Sequence, residues 1–172
     1  MKRAWIVLVL ALIAGSVSAG NFGELQVVNG KPTVDLYVAG KIHGKIGWSA
    51  FSLVNKDWAQ VYAGPTFAPT SWSEISANIG VETGGTRFAE SLWLGHGRFS
   101  MLAINEHGFS GHWHKITADW NITKSFTIGY HGQALVGNGP RISYTRGKVA
   151  VCGSLLFKDG ETNTIVAMKI SP

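Results

Sequence analysis

Through much of this chain apolar residues fall at every second position, and no such run goes far before turn chemistry cuts it. From Glu74 to Glu82, Ile75, Ala77, Ile79 and Val81 alternate with Glu74, Ser76, Asn78, Gly80 and Glu82. From Lys115 to Ile122, Ile116, Ala118, Trp120 and Ile122 alternate with Lys115, Thr117, Asp119 and Asn121. Val34, Leu36 and Val38 oppose Asp35, Tyr37 and Ala39, and Phe126, Ile128 and Tyr130 oppose Thr127, Gly129, His131 and Gln133. A period of two puts each set on one side of a pleated strand, whereas a helix needs a period near 3.6. Beyond the first residues no window holds the helical period for three turns.

The cuts recur about every 10–14 residues. They fall at Asn29-Gly30, His43-Gly44, Asn55-Lys56-Asp57, Pro69-Thr70, Gly84-Gly85, Gly95-His96-Gly97, Gly108 to Gly111, Thr123-Lys124, Gly137-Asn138-Gly139, Gly147 and Asp159-Gly160. Gly and Asn accept the positive φ of tight hairpins, and Pro and Asp favour turn entry. Eleven turns separate twelve segments. The expected fold is therefore all-β: an antiparallel up-and-down meander closed into a barrel of twelve strands, with ten as the alternative. Arg87 to Leu94, Arg98 to Glu106 and Val149 to Phe157 have mixed faces and leave their orientation open. Pro65 needs a rim or a bulge, because a closed barrel has no edge strand to accommodate it.

Alternation does not say which face meets water. Three features point the apolar face towards lipid. Segments of about 9–13 residues match the 9–11 that cross a bilayer obliquely and exceed the usual 5–6 of soluble sheets. Charged residues are 15% of the chain, against about 25% in soluble domains, while there are 22 Gly and 7 Trp. Trp48, Trp58, Trp72, Trp93, Trp113 and Trp120 sit near segment ends, where an interfacial aromatic girdle is expected. On that reading Asp35, Glu74, Glu82, Lys115, Asp119 and His131 form a polar network in the lumen, where opposite charges must pair to offset desolvation.

The chain starts Met1-Lys2-Arg3, continues apolar from Ala4 to Ala14, and passes through Gly15-Ser16-Val17-Ser18-Ala19. A basic start, a short apolar run and a small-x-small exit make residues 1–19 a signal peptide cut after Ala19, with one domain over 20–172. The run is too short for a helical anchor of roughly 20 residues. Loss of Lys2 and Arg3 lowers the net charge from +5 by two, to +3, a scattered excess that is no nucleic-acid footprint. Cys152 is the only cysteine, so an exported chain has no internal disulfide, and its apolar neighbours suit a small buried thiol.

The leader, the meander Trp58-Ala59-Gln60-Val61-Tyr62-Ala63-Gly64-Pro65 and the closing segment Thr164-Ile165-Val166-Ala167-Met168-Lys169-Ile170 together resemble small Gram-negative outer-membrane β-barrel proteins, a class rather than one family. That resemblance implies residence in outer-membrane lipids and partnership with periplasmic chaperones and the barrel-insertion machinery. It also implies a structural or narrow-pore role. Members of the class usually end in an aromatic residue read by that machinery, where this chain has Ile170-Ser171-Pro172. This departure favours the alternative, a soluble periplasmic or secreted barrel holding a small apolar ligand.

Chemistry is sparse. His112 and His114 flank Trp113 and share a strand face, with His107 nearby, but no cysteine or carboxylate supports a metal site. A membrane-embedded hydrolase or acyltransferase would need His131, or the His112/His114 pair, beside a nucleophile, and Ser125 and Ser143 carry no local signature. Gly137-Asn138-Gly139-Pro140 leads into strand sequence, so no helix start follows to hold a phosphate. No cofactor and no catalysis are expected.

Overall fold

A computed structural model of the protein describes residues 21–171. The signal peptide expected over residues 1–19 lies outside the described residues. Twelve strands follow one another: β1 (Phe22–Val28), β2 (Lys31–His43), β3 (Ile46–Asn55), β4 (Ala59–Thr70), β5 (Ser73–Glu82), β6 (Gly85–His96), β7 (Phe99–Gly108), β8 (Gly111–Asn121), β9 (Phe126–Gln133), β10 (Gly137–Arg146), β11 (Val149–Lys158) and β12 (Glu161–Ile170). Each pairs antiparallel with its neighbours in sequence, and β1 pairs with β12 to close the ring. The twelve-strand meander barrel expected from the turn spacing is the observed fold. Closure runs in register from Gly23↔Ile170 to Val28↔Ile165, so no edge strand is left open.

Residues directly opposed across an antiparallel pair share a face, so one parity can be followed around the ring. Asp35 opposes Leu53, Leu53 opposes Gln60, Gln60 opposes Glu82 and Gly80 opposes Arg87. This face carries the buried polar side chains Gln26, Thr33, Asp35, Gln60, Asn78, Glu82, Arg87, Glu106, His131 and Ser154, with Tyr62, Leu156 and Ile165 buried among them. The opposite face carries Leu25, Val34, Ile75, Ile79, Phe88, Trp120, Ile128, Ile142, Val151, Leu155, Val166 and Met168, all exposed. The barrel is thus apolar outside and polar inside, the reverse of a soluble domain. An apolar ligand cavity, which the soluble alternative needs, is not what this interior offers.

Residue 21, residue 171 and the turns after β2, β4, β6, β8 and β10 lie at one end of the barrel, the near end. The turns after the odd-numbered strands lie at the far end. Two turns depart from expectation. The β9–β10 turn occupies residues 134–136 rather than Gly137-Asn138-Gly139, because Leu135 itself takes a left-handed φ of 70° and Gly137 (φ 112°) begins the next strand. The β4–β5 turn falls just after Pro69-Thr70, because the ladder shifts register between Phe67 and Thr70. Pro65 sits inside β4 facing outward, opposite Trp48. Its missing N–H falls in a gap in the β4–β5 partners between Ala63↔Ile79 and Thr66↔Ser76, with the same register on both sides of the gap.

Candidate functional site: the barrel lumen

The most heavily bonded part of the lumen lies in its far half. There Arg87 on β6 lies between two carboxylates, pairing with Glu82 on β5 and with Glu106 on β7, the latter at 2.7 Å. All three side chains are almost wholly buried. Ser110, in the β7–β8 turn, donates its backbone N–H to Glu82 Oε1 at 2.8 Å and its hydroxyl to Glu82 Oε2 at 2.9 Å. Tyr62 Oη donates to Glu106 Oε1 at 3.0 Å, and Gln60 Nε2 donates to Glu106 Oε2 at 3.4 Å, both reaching over from β4. The Trp58 ring lies 5.8 Å from the Arg87 guanidinium carbon. This is a bonded patch spanning β4 to β7. Charges taken out of water this far hold only when paired and hydrogen-bonded on most sides, and these are.

A second polar group lines β8 to β12. His131, 1% exposed, shares a hydrogen bond between Nδ1 and Ser154 Oγ at 3.0 Å. Arg141 Nε lies 3.3 Å from Asp119 Oδ1, an ion pair without hydrogen-bond geometry, so both atoms remain unpartnered. Asp35 Oδ1, His131 Nε2 and Gln133 Oε1 are likewise buried and unpartnered. Lys115 on β8 stands half a ring from Asp35 on β2, on the same lumen face. Leu156 and Ile165 are buried on the same face on this side. Towards the near end the lining loosens: Lys41 and Trp93 are exposed, and Glu74, Ser100, Thr127 and Lys169 are half-buried.

All six residues singled out for the lumen, Asp35, Glu74, Glu82, Lys115, Asp119 and His131, lie on the lumen face. They do not form one network. Glu82 belongs to the Arg87 patch, Asp119 to the Arg141 pair, His131 to Ser154, and Glu74 stands near the near-end mouth. The lumen face also carries Arg87, Glu106, Arg141 and Lys169. Arg87 and Glu106 lie in the segments whose faces were mixed, where parity gives no orientation without a paired neighbour.

The tryptophans divide. Trp48 and Trp120 are on the outer face near the near end, and Trp72 is in the β4–β5 turn at that end. Trp58, Trp93 and Trp113 turn to the lumen side instead. Trp113 opposes Glu106 and Trp93 opposes Glu74, both on the lumen face, and Trp58 donates from Nε1 to Gln60 Oε1 at 3.3 Å. The signal was available for Trp113, which shares parity with Lys115 and Asp119.

His131 does stand beside a hydroxyl, but its second ring nitrogen has no orienting carboxylate. Both members are sealed from solvent, so the pair lacks two requirements of a hydrolytic site. His107, His112 and His114 fall on the outer face, and among the described residues no group of three or more His, Cys, Asp or Glu has metal-holding geometry.

No family model and no curated protein matches the chain. Among solved structures it is similar to the KdgM porin, with 12% identity and a TM-score of 0.60, covering 88% of this chain and 98% of that one. KdgM in complex with disordered oligogalacturonate gives 13% identity and the same TM-score and coverage. The NanC porin gives 11% identity and a TM-score of 0.54 at 88% and 98% coverage. At such identities the likeness is one of fold: the chain has the twelve-stranded closed barrel of small outer-membrane porins.

Proposed function

We propose that this chain is an exported outer-membrane barrel that provides a narrow polar passage for small solutes. The observation that carries the proposal is the inversion of its faces. A band of exposed Leu, Ile, Val and Phe surrounds an interior of Asp, Glu, Arg, Lys and His. In water that band would be a very large apolar patch, whereas in lipid it is the required surface. Twelve strands enclose more than the side-chain-filled interior of an eight-stranded barrel and less than the open channel of a sixteen-stranded one. On this reading the bonded Arg87 patch is the constriction of the passage and the more exposed near half its vestibule. Acidic and basic side chains both line the route, so the passage is for small polar solutes without strong preference for one sign of charge. Chaperoned transit of the periplasm and machine-assisted insertion follow from the same reading.

Purified folded protein in a planar bilayer tests it. The expected result is discrete current steps of small amplitude with modest ion selectivity. A silent bilayer under conditions that incorporate a known porin would overturn the passage.

A further inference from the structure

The outer face breaks its apolar rule in one place. Glu90 lies at the middle of β6, outward and exposed, and among the described residues it is the one charged side chain on that face away from a strand end. Among those residues it has no hydrogen-bond or ion-pair partner. Across the ladder it opposes Asn105 on β7, which in turn opposes His114 on β8. One step towards the far end His107 opposes His112, with ring centroids 4.8 Å apart, and Asn105 hydrogen-bonds both of their Nε2 atoms at 2.8 and 2.6 Å. Beside this strip is a depression of about 410 Å³ on the wall, bordered by Ile75, Leu92 and Ala103 together with Glu90 and Asn105. Elsewhere away from the strand ends the outward side chains of the described residues carry no charge.

An unpaired carboxylate in mid-band is unfavourable against lipid, and intramembrane charges face protein rather than acyl chains. We infer that the β6–β8 wall is the contact surface of a homodimer, with a second copy of this chain covering Glu90. The strip is self-complementary. Its acid lies on β6 and its imidazoles on β7 and β8, so a two-fold axis along the membrane normal, passing by β7, turns each β6 towards the partner's β8. Glu90 of each copy then meets the histidine side of the other, and the shallow wall beside Ala103 lets the two barrels approach closely. The inference rests on the membrane reading above but not on conduction.

The test is disulfide formation in isolated outer membranes from cells expressing the full chain, using A103C on β7 and, as control, V166C on the far wall at β12. Cys152 is buried and does not compete. On mild oxidation A103C should give a band at twice the monomer mass and V166C should not. E90K in the A103C background should cut that band by about tenfold or more, because it replaces the acceptor facing the partner's imidazoles with a buried, uncompensated ammonium donor. Adding H112E and H114E to E90K should restore it. A monomeric A103C, or equal cross-linking at V166C, would overturn the homodimer and leave a lipid as the cover. Bilayer currents from the same membranes report the passage separately, so loss of the cross-link with currents intact refutes the dimer alone.

Discussion

At the scale of single residues, the firmest statement concerns Arg87. It neutralises two buried carboxylates that have no other cation among the described residues, and removal of one member of such a group leaves the rest uncompensated. Arg87→Met should destabilise the folded barrel by about 3–5 kcal/mol, measured by urea unfolding in lipid vesicles. The triple variant Arg87→Met with Glu82→Gln and Glu106→Gln should recover much of that loss, since no charge is then stranded. Equal instability of the triple variant would mean that shape, not charge, makes the patch. Sequence alone placed Glu82 on the lumen face through its clean alternation. It could not place Arg87 or Glu90, which lie three apart on opposite faces of a segment with charge on both. Trp58, Trp93 and Trp113 lie on the lumen side rather than the outer face for a related reason: indole suits a membrane interface and a polar lumen equally, and only parity separates the two.

At the scale of strands and turns, the ladder depends on where backbone must approach backbone. Gly80 faces the lumen opposite Tyr62, and a Cβ there would run into the Val61 carbonyl and the Tyr62 backbone. Gly153 faces outward with nothing in reach of an added Cβ. Gly80→Val should lower stability by roughly 1–3 kcal/mol and reduce the heat-modifiable folded band, while Gly153→Val should leave both nearly unchanged. Similar losses in the two variants would contradict the pairing of β5 with β4. Turn positions were largely legible because hairpins need positive φ and Gly or Asn supplies it. The exception is instructive: at 134–136 the positive φ falls on Leu135, a residue that advertises no turn, so the sequence signal moved to the next glycines.

At the scale of the whole molecule, alternation established that there are two faces but not which one is inside. That depends on closure, and closure depends on β1 meeting β12, a pairing between chain segments about 140 residues apart that no local pattern encodes. Once the ring is closed, the parity carrying Glu82, Arg87, Glu106 and His131 faces inward and the parity carrying Ile79, Ile128 and Val166 meets the surroundings. The central claim, that lipid surrounds this barrel, is tested most directly by single-tryptophan variants folded into vesicles containing brominated phospholipid. Bromine quenches indoles that touch acyl chains. Trp120 and Trp48 should be quenched strongly, while Trp113 and Trp58 should keep most of their emission. Equal quenching at all four positions, or folded protein left in solution without binding the vesicles, would contradict it.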